Sequence, residues 1–203
     1  MNVQSIRESN VLVAPKDKRA TILQAALELI AEHGFHGAPM ALVAQRAKVS
    51  AGIIYHYFAS KEELIRALYQ QVEADFNRAL LAGSPQSLPI AEAFQQLWLN
   101  AYRFYRTHPF ETRFLEQYKH SPFYQVPAVP AEVIAGDDFA FLTSIFAADP
   151  ADRPIKDLPL DVIYELTLGV AARVAHRHAL DATSIDEQVL AQIASACWQA
   201  IAR

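Results

Sequence analysis

The sequence predicts an all-α protein of about nine helices, arranged as a small N-terminal three-helix unit followed by a larger helical domain. Three observations carry this. Apolar residues make up 52% and charged residues 20% of the 203 positions, enough for a buried core to offset the conformational entropy lost on folding. Six glycines stand against eleven prolines, with few alternating runs of Val, Ile and Thr, which disfavours a many-turned β architecture. Segment after segment places its apolar residues at helical spacing between recognisable caps.

Asp17 to His33 is amphipathic, with Ile22, Leu23, Ala26, Leu27, Ile30 and Ala31 on one stripe, and Gly34 supplies a left-handed stop. Pro39 suits a first helical position, and Met40, Val43, Ala44 and Ala47 continue a second, short helix. Ser50 caps a third over Ala51 to Phe58, and Ser60 with Glu63 forms a capping box that opens a long fourth helix to about Leu81. After the break at 83–87, helical spacing resumes from Ile90 to about Thr107, and His108-Pro109 ends it. Further helices are expected over Glu111 to His120, Glu132 to Ala148, Leu160 to about Leu180, and Ser184 to Arg203. The last begins with a second capping box, Ser184 with Glu187. Residues 1–15 read as a flexible tail, 16–64 as the small unit and 65–203 as the larger domain.

No stretch reaches the roughly 18 consecutive apolar residues of a membrane span, and the first fifteen residues lack the apolar block of a secretory peptide. A cytoplasmic protein is expected, with no membrane partner. The single cysteine, Cys197, can form no intramolecular disulfide and supplies no metal framework. Charge is unevenly divided. Residues 16–66 hold Lys16, Lys18, Arg19, Arg46, Lys48, Lys61 and Arg66 against Asp17, Glu28, Glu32, Glu62 and Glu63, whereas the whole chain carries −4. A modestly basic end on an acidic protein suits a polyanion.

Two short helices joined by a tight turn, with a longer helix on either side, form the geometry that places one helix in a DNA major groove. The span from Val43 to Lys61 fits it, with Ala44, Val49 and Ile54 as the apolar hinge. Ser50, Ala51, Gly52 and Ile53 then stand at the start of the inserted helix, where free N–H groups favour anions and small side chains allow close approach to base edges. Tyr55, His56, Tyr57 and Lys61 supply donors for phosphates, which position a helix without reading sequence. Each residue also has a plainer reading: Tyr55 and Phe58 in a small core, Lys61 as a solvated first-turn lysine, and His56 as a surface residue.

From Phe35 to Leu64 the chain resembles the DNA-binding domain of the TetR (tetracycline-repressor-like) transcriptional regulators. Tyr55-His56-Tyr57-Phe58 followed by Ser60-Lys61-Glu62-Glu63-Leu64 is the most specific part of that signature, and Cys197 to Ile201 is similar to the last helix of many members. The resemblance implies that Ala51, Gly52, Ile53 and Tyr55 face bases or nearby phosphates and that Tyr57 and Lys61 contact phosphates. Three positions depart from the family pattern. Ala38 replaces a usual Thr or Ser and so loses a hydroxyl cap, Lys48 replaces a usual Gly in the interhelical turn, and Ile53 replaces a common Thr. Lys48 adds a charge beside the phosphates.

The remaining residues are rich in aromatics. Trp98, Tyr102, Tyr105, Phe114, Tyr118 and Phe139, with His176 as a polar member, either line a cavity for a small-molecule effector or fill a solid core. Arg103, Arg113 and Gln117 would orient such a ligand if they face inward. In the last helix Val189, Ile193, Ala196 and Ala200 form one apolar row and Leu190, Ala194, Cys197 and Ile201 another. One row can face its own domain while the other needs a partner. Ile163, Leu166, Val170 and Val174, with Gly169, give the preceding helix a matching seam, so a homodimer through 160–180 and 184–203 is expected. These readings together describe a dimeric repressor released from a double-stranded DNA operator by an apolar or aromatic ligand. An all-helical enzyme or a ligand-binding protein without a DNA role is the alternative. It has little to draw on: His33 with His36 and His176 with His178 are badly spaced for a metal, and no phosphate loop or nucleophile motif occurs, so no cofactor is expected.

Overall fold

The computed structural model describes residues 17–124, 154–180 and 185–203. The N-terminal tail, the helix expected over 132–148 with Phe139 inside it, and Ser184 lie outside the described residues. The helices are α1 (Lys18–His33), α2 (Met40–Arg46), α3 (Ala51–Tyr57), α4 (Lys61–Leu80), α5 (Ile90–Thr107), α6 (Pro109–Lys119), α7 (Leu160–Leu166), α8 (Leu168–Leu180) and α9 (Glu187–Ile201), with a 3₁₀ turn over Pro85–Ser87. Among the described residues there is no strand, and the all-α class holds; a lone antiparallel bridge joins Ile155 to Ala202. The chain divides into two compact units between Leu64 and Ile65.

In the first unit the stop predicted at Gly34 forms, whereas Asp17, expected within the first helix, stands before it as its N-cap. Asp17 accepts the Arg19 N–H at 2.9 Å and starts α1, and Gly34 stops it at a φ of 73° that disfavours side chains bearing a Cβ. Pro39 serves as the N-cap of α2 rather than its first residue, so the helix starts at Met40 without a side-chain cap. The stripe from Ile22 to Ala31 is buried, as are Val43, Ala44, Ile54 and Phe58. Arg46 clamps α2 to α1, reaching Glu28 and Glu32 at 3.3 Å each, and the Arg19 guanidinium lies 5.5 Å from the Phe58 ring centre.

The second unit is built around α5. Its Leu97, Trp98, Ala101, Tyr102, Phe104 and Tyr105 share one core with Ala171, Ala172 and Ala175 of α8 and with Leu190, Ala194 and Cys197 of α9. Asn100, buried on α5, donates to the Leu80 and Ala82 carbonyls at 2.8 Å each and so satisfies acceptors left open where α4 ends. The segment from Pro154 lies along the end of α9, with the Lys156 N–H donating to the Ile201 carbonyl at 2.7 Å and the Lys156 ammonium to the Ala200 carbonyl at 2.8 Å.

Two expectations need correction. The helix expected from Leu160 to Leu180 is interrupted at Thr167, where φ is −123° and ψ −89°. The Thr167 hydroxyl turns back to the Ile163 carbonyl at 2.6 Å, while the Thr167 carbonyl accepts the Trp98 indole N–H at 3.1 Å as well as the Ala171 N–H. The last helix starts at Glu187 with Asp186 as its cap, accepting the Gln188 N–H at 2.7 Å, so Glu187 occupies the first turn and not the third position of a box opened by Ser184.

Candidate nucleic-acid interface

Helix α3 is anchored by Ile54 within it and by Phe58 just after it, and presents most of its other residues outward. Ile54 is 1% exposed and Phe58 2%, whereas Tyr55 is 55% exposed. Two residues four apart fix the buried side, which Ile53 and Tyr57 flank, and Tyr55 and His56 face outward. Ser50 starts the helix, its hydroxyl accepting the Ile53 N–H at 3.3 Å. Ser50, Ala51, Gly52, Tyr55 and His56 are exposed, Ile53 and Tyr57 are half-buried, and the His56 and Tyr57 rings meet edge to face at 5.3 Å. Of the hinge residues, Ala44 and Ile54 are buried and Val49 half-buried, with the Val49 N–H on the Ala44 carbonyl at 3.0 Å. Phe58 is core, and its plainer reading holds.

Lys48 occupies the turn between α2 and α3 at a φ of 55°, in the left-handed region where glycine is favoured, with its side chain exposed. Gly52 is different: it is exposed, and a Cβ added to it would meet nothing nearer than the Ser50 hydroxyl at 4.0 Å. Among the described residues nothing requires glycine there.

Lys61 is not a simple solvated lysine. Its ammonium donates to the Phe35 carbonyl, tying the start of α4 to the α1–α2 connection, and partial burial lowers its pKa from the ordinary lysine value. An ammonium has three donors, so one contact inside the unit leaves others for an anion. No spacing rule links residues 26 apart, and sequence reasoning missed this bond. The Ser60–Glu63 box is present in a shifted form, with the Glu63 N–H on the Ser60 hydroxyl at 3.2 Å and the Glu63 carboxylate accepting the Ala59 N–H at 2.7 Å. The neighbouring Glu62 carboxyl is held below the usual range by its own backbone N–H and by Ser60.

In the second unit Trp98, Tyr102, Tyr105, Phe114 and Tyr118 are all buried. Trp98 and Tyr102 lie with parallel rings 6.1 Å apart, and Tyr118 stacks on Tyr69 of α4 at 4.3 Å. Burial raises the pKa values of Tyr105 and Tyr69, helped by the neighbouring Tyr164 and by the hydrogen bond to Glu73 respectively. His176 does not join these aromatics; it is exposed while its neighbour Ala175 is fully buried. Arg103 and Arg113 are also exposed. The inner row of α9, Leu190, Ala194, Cys197 and Ile201, is buried, whereas Val189 is 43% exposed and Ala196 is exposed with it. Ile163 departs from the expected partner seam and packs with Ile155 and Ile201, leaving Val162 and Leu166 exposed on α7. Among the described residues no group of His, Cys, Asp and Glu is arranged to hold a metal ion, and no helix is long and apolar enough to cross a membrane.

Comparison with known proteins agrees with this geometry. Residues 22–68 match the family of bacterial regulatory proteins of the tetR type, and residues 89–202 match the tetracyclin repressor-like C-terminal domain. An HTH-type transcriptional regulator of Haemophilus influenzae, itself uncharacterized, is 26% identical over 93% of this chain and 97% of its own length. The HTH-type transcriptional regulator UidR of Escherichia coli K12 is 41% identical over 71 residues, 35% of either chain. A TetR family transcription regulator from Marinobacter aquaeolei shares the fold, with a TM-score of 0.76 and 20% identity over 91% of this chain and 95% of that one. With its exposed α3 and its matched N- and C-terminal domains, the chain belongs to the TetR family of DNA-binding, helix-turn-helix transcriptional regulators.

Proposed function

We propose that the protein is a cytoplasmic, dimeric repressor rather than an enzyme, and that a small apolar or aromatic ligand releases it from its operator. The observation that carries the DNA side is the contrast along α3, where Ile54 and Phe58 are buried while Tyr55, His56 and the small residues from Ser50 to Gly52 are exposed. In this reading Ala51, Gly52, Ile53 and Tyr55 meet base edges or neighbouring phosphates. Lys48, Ser50, His56, Tyr57 and Lys61 hold the backbone. Ile53 offers an apolar contact to a thymine methyl.

The dimer reading rests on α7 and α9, which keep Val162, Leu166, Val189 and Ala196 exposed after their inner rows are buried. A two-fold pairing would cover these residues and set two α3 helices about one DNA turn apart, roughly 34–36 Å. The effector reading rests on the buried aromatics Trp98, Tyr102, Tyr105, Phe114 and Tyr118. A ligand moves the protein off DNA only by as much as it prefers the released state.

The test is retardation of DNA from the gene's own upstream region, run as a salt series with sedimentation of the free protein. Wild type should bind with an affinity that falls steeply with salt and should sediment at twice 22.6 kDa. Tyr55→Ala, at an exposed position, should fold normally and bind at least about tenfold more weakly. Undiminished binding by that folded variant would reject the assigned face, and a monomer at micromolar concentration would reject the pairing.

A further inference from the structure

Among the described residues, the core of the second unit contains one buried side-chain polar atom without a partner. Tyr102 is 2% exposed, and its hydroxyl is buried with no hydrogen-bond partner among the described residues. The other buried polar side chains of this unit are provided for. Asn100 serves the end of α4, Thr112 donates to the His108 carbonyl at 2.8 Å, and Thr167 donates to the Ile163 carbonyl at 2.6 Å. The indole N–H of Trp98, whose ring is parallel to that of Tyr102, is committed to the Thr167 carbonyl.

A buried hydroxyl without a partner destabilises a fold, and phenylalanine would fill the same volume without that cost. A water molecule answers such a group well only when about two to four polar atoms converge on it, and no second unpaired side-chain atom is buried among the described residues. The surroundings are otherwise apolar. The same core takes small side chains from the facing helices, Ala171 and Ala175 from α8 and Ala194 and Cys197 from α9, and no charged side chain is buried among the described residues.

Building on the effector reading above, we propose that Tyr102 is the specificity contact for a neutral, largely apolar ligand bearing one hydrogen-bond acceptor of the carbonyl class, bound among α5, α8 and α9. The hydroxyl donates to that carbonyl, and the rings of Trp98 and Tyr102 with the small residues opposite take the apolar body. A charged ligand is disfavoured, because no charged side chain is buried among the described residues to pair with it.

The test uses two probes of nearly equal shape, acetophenone and α-methylstyrene, which differ by a carbonyl oxygen against a methylene. Binding is read by calorimetry and tryptophan fluorescence on the full chain, wild type and Tyr102→Phe. Wild type should hold the ketone about 3- to 10-fold more tightly than the hydrocarbon, and Tyr102→Phe should abolish that preference while keeping the hydrocarbon affinity. Without probe, Tyr102→Phe should be at least as stable as wild type. Three results would overturn the proposal: equal affinity of wild type for the two probes, no binding of either at millimolar concentration, or a loss of stability in the probe-free variant, which would show that the hydroxyl is satisfied within the protein. Operator binding is measured on the same preparations. Its retention alongside any of these results confines the failure to the Tyr102 assignment, and its loss alongside a clear ketone preference confines the failure to the DNA reading.

Discussion

Gly52 offers a test in which stability and function should move in opposite directions. It lies in the first turn of α3 with its backbone outside the left-handed region, so alanine adopts the same conformation without strain. The added Cβ would meet only the Ser50 hydroxyl, at 4.0 Å, an ordinary contact. Glycine within a helix costs about 0.5–1 kcal/mol relative to alanine, chiefly because its unfolded chain is freer. Gly52→Ala should therefore stabilise the first unit by up to about 1 kcal/mol, toward the lower end because the position is in the first turn. On DNA the same methyl projects from an exposed face and holds the backbone away from the duplex. Losing the contacts of one close approach costs about 1–3 kcal/mol, or roughly 5- to 150-fold in affinity. Hydrogen exchange of the α3 amides measures the first effect locally, and gel retardation at fixed salt the second. A variant that is less stable would refute the packing argument; one that binds DNA as well as wild type would refute the proposed approach at Gly52.

Four other outcomes are expected. Lys48→Gly relieves a left-handed lysine and should raise the stability of the first unit by about 1 kcal/mol, while reducing the salt dependence of DNA binding by about one phosphate contact; an unchanged salt slope would place Lys48 away from the backbone. Ser50→Ala removes the side-chain acceptor of the Ile53 N–H, leaving it the Ser50 carbonyl at 3.0 Å, and should cost about 0.5–2 kcal/mol, seen as faster exchange in α3, the opposite sign to Gly52→Ala. Asn100→Ala deprives the Leu80 and Ala82 carbonyls of their shared donor and should lower stability by about 2–4 kcal/mol, read from the urea midpoint of tryptophan fluorescence; a shift below about 0.5 kcal/mol would mean that solvent replaces both bonds. Alkaline unfolding should be steep. Tyr69 and Tyr105 hold their protons more tightly folded than unfolded, so their contribution is present below the ordinary phenol range near pH 10 and is lost as pH rises beyond it. Tyr69→Phe should flatten that limb, and an unaltered slope would remove Tyr69 from the account.

Features governed by neighbouring residues were legible before any coordinates. Asp17 at the start of α1, Gly34 at its end and Ser50 before α3 all act within three or four residues, so their chemistry is written in short strings. The outward face of α3 was legible for a related reason: the helix is so short that Ile54 within it and Phe58 at its end leave little choice about what faces out. The signature around Tyr55 to Leu64 then gave that face a meaning that composition alone could not supply.

Capping and periodicity are local, and they suffice for the all-α class, the order of the helices and the outward face of α3. Tertiary structure decided what depends on residues far apart in the chain. No proline marks the break at Thr167, and Gly169 falls within the first turn of α8; the break coincides with the Thr167 hydroxyl bonding back one turn and the indole of Trp98 reaching its carbonyl from 69 residues away. Lys61 is drawn to Phe35 and Asn100 to the end of α4 only once the helices pack. Helical spacing offered α9 two equivalent apolar rows, and packing against α5 buried Leu190 and left Val189 outside. Periodicity states which residues share a side of a helix, but only the neighbouring helices determine which side is removed from water.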